Sequence, residues 1–157
     1  MANTFRYRRG ETRPVFVAVD PATVIEIGDL LWLDTDDAKP ASSQADCGSE
    51  VANLGAFHGN FLGVAEQQSR DGDTQEIRVA TIGVFEMDCP SATYEVGDLI
   101  VACENADGDG LLDQTVQGGA IAYAIGRVVN AEAIAVTKVL VQIESTVMTG
   151  GPQDPVS

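Results

Sequence analysis

Residues 133–143 read AIAVTKVLVQI. Ile134, Val136, Lys138, Leu140 and Gln142 fall on one face of an extended chain, and Ala135, Thr137, Val139, Val141 and Ile143 on the other. A period of two in a stretch rich in Val and Ile is the signature of a β-strand. The same kind of stretch recurs on either side of it. Residues 14–20 (PVFVAVD), 30–34 (LLWLD), 61–65 (FLGVA), 77–87 (IRVATIGVFEM), 99–103 (LIVAC) and 121–129 (IAYAIGRVV) are short, apolar or alternating. Gly, Asp, Asn and Pro separate them, and that spacing of turn signals belongs to a sandwich or barrel. The expectation is an all-β fold, a small β-barrel or β-tulip-like domain.

One segment breaks the pattern. Residues 49–57 (SEVANLGAF) place Val51 and Leu54 at helical spacing, with Ser49 before them as an N-cap and His58 just beyond. This predicts one short helix, weakened by Gly55. The preceding residues 34–47 are polar and turn-rich and read as an exposed loop. The chain then divides into a basic-aromatic N-terminal arm (1–13), a single β-domain (14–148) and a flexible tail (149–157).

Within the β-domain a motif occurs twice. Residues 25–34 read IEIGDLLWLD and residues 94–103 read YEVGDLIVAC. Each has Glu, an apolar residue, Gly-Asp-Leu and then an apolar run. Gly28 and Gly97 suit a turn with positive φ, and Asp29 and Asp98 can hydrogen-bond the neighbouring backbone. A second echo follows: FLGVA (61–65) leads into a longer strand, as does AIGRV (124–128). The pattern predicts one motif used twice in a single barrel rather than two domains.

The 157 residues carry a net charge of −15, distributed unevenly. Residues 1–13 are net +3, from Arg6, Arg8, Arg9 and Arg13 against Glu11, and the remainder is net −18. A body this acidic repels phosphate, which argues against nucleic acid as a partner. No apolar run approaches the roughly 18–20 residues needed to cross a bilayer, so no membrane partner is expected. The basic start has no apolar core, so it does not read as a secretory signal. Cys47, Cys89 and Cys103 lack the C-x-x-C spacing of a zinc site and read as reduced thiols.

Residues 105–113 (NADGDGLLD) match the first half of a calcium loop. Asn105, Asp107 and Asp109 supply oxygens at positions 1, 3 and 5, with Gly110 at position 6 and Asp113 at position 9. Position 12 is Val116, where a bidentate acid belongs, so any calcium held here is weakly held. No other cofactor is expected. Asp34, Asp36 and Asp37 read as solvated charge. His58 is the single imidazole, and no nucleophile motif accompanies it. Glu26, Glu86, Asp88 and Glu95 offer carboxylates, but their spacing singles out no acid–base pair. The expectation is a non-enzymatic protein.

Phe5, Arg6, Tyr7, Arg8, Arg9 and Arg13 mix two aromatic anchors with four guanidinium groups. Such an arm suits docking on an acidic protein surface.

The order of these features resembles the capsid decoration, or cement, proteins of tailed bacteriophages. The resemblance rests on the arm with residues 14–20, the Gly28-Asp29 turn and its strand, and residues 57–65 (FHGNFLGVA). It continues through residues 82–86 (IGVFE), 97–99 (GDL) and 124–128 (AIGRV) with the closing strand, and so covers most of 10–145. It implies a β-barrel or β-tulip, usually trimeric, made in the host cytoplasm and seated on the outer face of the virion. Its partners would be the major capsid protein and two further copies of itself, with the arm as the binding element. Two other readings fit the residues: a calcium-dependent β-barrel binding module, and another shell or tail component of a virion.

Overall fold

The computed structural model describes residue 3 and residues 6–153. Its first strands are β1 (Tyr7–Arg9), β2 (Val15–Val17), β3 (Leu30–Asp34) and β4 (Asp37–Pro40). Helix α1 (Glu50–Asn60) precedes β5 (Phe61–Ala65) and β6 (Ile77–Ala80). There follow β7 (Ile82–Tyr94), β8 (Leu99–Glu104), β9 (Leu111–Gly118), β10 (Gly126–Val128), β11 (Glu132–Glu144) and the short helix α2 (Thr146–Thr149). The fold is all-β, with 47% of residues in strands and a closed five-stranded barrel.

The barrel is built by the second half of the chain. Its strands run in the order β7-β11-β10-β8-β9, and β9 returns to β7 through a parallel bridge between Asp88 and Thr115. The first half repeats the same plan as β2-β6-β5-β3-β4. There a parallel bridge between Ala18 and Asp37 brings β4 back beside the end of β2. The two halves therefore share strand order, strand direction and the position of the closing bridge.

The repeated Gly-Asp turns anchor this duplication. Gly28 and Gly97 take φ of 97° and 92°, a left-handed conformation that favours glycine. The Asp29 carboxylate accepts from Glu26 N–H at 2.9 Å, and the Asp98 carboxylate from Glu95 N–H at 2.8 Å. Gly28 N–H donates to Ala65 O, and Ala65 N–H donates back to Asp29 O. In the second copy Gly97 donates to Val128 O, and Val128 N–H donates back to Asp98 O. The turn is thus stitched to the strand two places on, by the same bonds in both copies.

Inward-facing residues obey the period of two. Val139, Val141 and Ile143 of β11 are buried, whereas Gln142 between them is exposed. They meet Phe85, Met87, Ile100, Ile125 and Val128 in the larger core. Ile25, Leu31, Leu62, Ile77 and Val79 form a second core within the first half. Helix α1 starts at Ser49, whose side chain accepts from Ala52 N–H, and it buries Asn53, Leu54 and Phe57. Phe57 and Phe61 pack at 5.6 Å between ring centres and belong to the larger core. Each such fully buried phenylalanine contributes about 2–3 kcal/mol of transfer free energy. The helix therefore binds the halves together.

Three segments differ from the sequence reading. The loop expected over 34–47 contains β4 and the 3-10 turn Ala41–Ser43, with Ala38 and Ala41 fully buried. Within the tail expected from residue 149, Gly151 and Pro152 are buried, and Gln153 O accepts from Arg127. The N-terminal segment is extended, but residues 6–13 lie along the barrel instead of projecting from it. Tyr7–Arg9 pairs with β7, and Thr12 O accepts from Thr81 N–H.

Candidate functional site

The residues expected to form a partner-binding arm divide between inside and outside. Phe5 lies outside the described residues. Arg6 is 6% exposed, and its guanidinium forks onto Asp88 at 3.1 and 2.9 Å. The same group donates to Gln114 Oε1 at 3.2 and 2.9 Å and to Glu86 O at 3.2 Å. Gln114, itself fully buried, passes the connection on by donating to Asp29 Oδ1 at 2.9 Å. Lys138 Nζ approaches Asp88 Oδ1 at 2.8 Å from the exposed side. Arg6 is thus a buried tie between the N-terminal strand and both halves, which corrects its assignment to a partner surface. Its flat five-donor fork is what this geometry requires.

Tyr7 turns inward onto Phe85, ring centres 5.7 Å apart and edge to face, and its hydroxyl donates to Gly10 O. Arg8 pairs with Glu86 at 3.0 Å at the surface. Arg9 is exposed, and Arg13 is exposed beside Glu11 at 3.6 Å. Of the four arginines of this segment, Arg8, Arg9 and Arg13 reach solvent.

The electrostatics follow from burial and partners. Asp29 is 2% exposed, and burial pushes its carboxyl up to about 6 despite the hydrogen bonds from Glu26 and Gln114. The Arg6 guanidinium holds Asp88 below the usual carboxylate range, with Lys138 adding to the effect. Asp88 is therefore a fixed anion, unsuited to donating a proton near neutrality. Burial raises the Cys103 thiol, which disfavours the nucleophilic thiolate.

The calcium-like residues divide between a turn and a strand. Asn105, Asp107 and Asp109 lie in the turn between β8 and β9, where the Asn105 amide donates to Asp109 Oδ1 at 2.9 Å. Asp113 sits on β9, and its two oxygens accept from Ser42 N–H at 2.7 Å and Ser42 Oγ at 3.0 Å. That carboxylate ties the halves together instead of completing a loop. Among the described residues, no group of three or more His, Cys, Asp and Glu side chains stands close enough to hold a metal ion.

The remaining candidates are also ties. His58 Nδ1 lies 2.7 Å from Ala124 O, joining α1 to the start of β10. Asp34 pairs with Lys39 at 2.9 Å. Sequence reasoning did not single out Gln114 or Asn53. Asn53 is 1% exposed and donates to Asp46 and Glu104 while accepting from Cys47 N–H. Gln114 carried a weak signal, since it alternates with Val116 and so shares the inward face of β9. No protein-family model matches the chain, and no curated protein matches it.

Proposed function

We propose that this is a non-enzymatic structural protein that binds the outer surface of a viral capsid and stabilises contacts between major capsid subunits. The observation that carries the reading is where the chemistry-bearing side chains go. Arg6, Asp29, Asp88, Asp113, Gln114 and His58 are engaged in ties within the fold. The outside presents isolated apolar groups, notably Ile134 at 83% and Val96 at 67% exposure, and the arginines Arg9 and Arg13. This is the surface of a scaffold that binds by area and charge. The motifs that carry the resemblance to decoration proteins are also the residues at equivalent turns and strands of the two halves, which supports it further.

The physical role is linkage. A protein that binds only the assembled lattice stabilises it by its binding free energy, and many identical sites multiply the effect. A homotrimer placed where subunits meet would span several of them.

The test is co-sedimentation with capsids assembled from a tailed-bacteriophage major capsid protein, with light scattering for oligomeric state. The expected result is saturable binding and a raised capsid melting temperature, weakened in the Arg9→Glu/Arg13→Glu double variant. A monomer that leaves capsids unbound at micromolar concentration overturns the proposal. If calcium then raises the protein's own melting temperature, the calcium-dependent module takes its place.

A further inference from the structure

The duplication makes the two halves templates for each other, and one slot filled in the second half is open in the first. Equivalent residues follow from register. Val15 pairs with Val79 in the first half as Phe85 pairs with Val141 in the second. Ala18 bridges Asp37 as Asp88 bridges Thr115. Phe16 therefore corresponds to Glu86, and β2 to the middle of β7.

On β7 the edge beside Phe85 and Glu86 is covered by β1, and Glu86 N–H donates to Arg6 O at 2.8 Å. On β2 the corresponding edge ends the sheet. The direction of its backbone groups can be read from β6. Arg78 O accepts from Glu66 N–H, so the Arg78 backbone faces β5. Val79 and Ile77 then face β2 and bond Val15 and Val17, which leaves Phe16 N–H and C=O pointing to the open edge. Phe16 itself is 59% exposed.

We infer that the open edge of β2 is a docking site for an extended, cationic segment of a partner protein, which adds as a strand where β1 adds on β7. Two observations fix the chemistry of the occupant. The filled slot shows what its geometry accepts: an arginine-rich strand, Arg6 to Arg9, with Arg6 reaching Gln114 and Asp88. The open slot has its acids elsewhere: Asp88 and Glu86 correspond to Ala18 and Phe16, while Asp20, Asp34, Asp36 and Asp37 lie around the closing bridge. Asp36 precedes the bridged Asp37 as Gln114 precedes Thr115, and Asp20, Asp34 and Asp37 all act on the single Lys39. A guanidinium entering beside that bridge meets four carboxylates whose neighbouring cation, Lys39, is paired with Asp34. The side chain two places on, where Arg8 meets Glu86 in the other half, meets the exposed Phe16 ring, a surface suited to an aromatic group or to cation–π stacking. Strand addition supplies affinity through main-chain bonds, and the flanking charges supply selection. Exchange of β1 itself from a second copy is disfavoured, because it would strand the buried Arg6 partners of the donor.

This inference goes beyond the capsid reading and is independent of it, since it specifies a segment and not the protein that carries it. The experiment uses the 157-residue chain and a synthetic peptide with the sequence of residues 3–13, NTFRYRRGETR. Amide hydrogen exchange and chemical shifts are followed residue by residue. Saturating peptide should slow exchange of the Phe16 amide at least about tenfold. The same peptide N-methylated at alternate positions, which cannot pair as a strand, should bind at least about tenfold more weakly. Asp36→Lys should weaken binding by a similar factor while leaving the melting temperature unchanged. The inference is overturned by an unperturbed Phe16 amide at millimolar peptide, by equal binding of the N-methylated peptide, or by changes confined to Val84 and Glu86. The last result would mean that the peptide only replaces β1.

Discussion

Asp29 and Asp98 occupy the same place in the two copies of one turn and make the same bond, yet only Asp29 is buried. The difference gives a signed prediction. Burial raises the folded value of Asp29 from 3.8 to about 6, so the folded state holds the proton more tightly than the unfolded chain. Its contribution is fully present below about pH 4 and is lost as pH rises through about 6, at a cost on the order of 2–3 kcal/mol. Asp88 behaves oppositely, because its value is depressed: its contribution is present above the ordinary carboxylate range and disappears only in acid. The windows do not overlap. Denaturant midpoints of the wild type and Asp29→Asn, measured from pH 4 to pH 7.5, should differ less in favour of the wild type as pH rises. A gap that stays constant across that range would show that Asp29 does not titrate there. Arg6→Met is expected to cost about 3–5 kcal/mol, since it leaves the buried Gln114 oxygen and one side of Asp88 without a donor. Urea unfolding of that variant measures it, and a loss below about 1 kcal/mol would contradict the buried tie.

At the scale of strands and helices, glycine positions separate geometry from propensity. A Cβ added to Gly63 on β5, at φ 153°, would lie 1.8 Å from Ala80 O. The corresponding Gly126 on β10 would place one 2.5 Å from Gln142 O. Both strands cross a neighbour at contact distance, so Gly63→Ala and Gly126→Ala should each destabilise by about 3 kcal/mol or more. Gly59 in α1 meets nothing within 4 Å, and Gly59→Ala should stabilise by up to about 1 kcal/mol. Thermal melts of the three variants decide the matter, and a neutral Gly63→Ala would refute the close approach. These elements also show what was legible beforehand. The repeat, the alternation in β11 and the Ser49 cap rest on local rules and are present in the fold as expected. The strand at residues 37–40 was hidden because DAKP has no apolar period; it forms only because Leu31, Leu33 and Ala18 offer it partners. The burial of Arg6 was hidden for the same reason, its partners lying 80 to 108 residues away in sequence. Exposed basic charge is the usual outcome for such a segment, and only long-range pairing overrides it.

At the scale of the molecule, duplication raises the question of whether the halves unfold together. The first half has an inner cluster of its own, around Leu31 and Val79, which would permit a separate transition. Against this stand the connections between them. Asp29 bonds Gln114, Ser42 bonds Asp113, Ser145 bonds Phe61 O, and α1 contributes Phe57 to the larger core. Two of these bonds, Gln114 to Asp29 and Ser145 to Phe61 O, are buried, so opening one half would leave polar groups of the other unsatisfied at about 1–3 kcal/mol each. Together with the larger core, which takes Leu30, Phe61 and Val64 from the first half and Ile100 and Val141 from the second, they should make the halves unfold as one. The single tryptophan gives a local probe, because Trp32 lies on β3 of the first half and packs against the larger core. Its fluorescence transition in urea should coincide with that of far-UV circular dichroism, which reports both halves, with one midpoint and one slope. In Gln114→Leu, which cuts the central connection, the midpoint should fall. If the two probes then also separate, with Trp32 unfolding at lower urea, the buried polar chain through Gln114 is what makes the duplicated fold cooperative. Coincident probes in that variant would assign the cooperativity to α1 and the shared core instead.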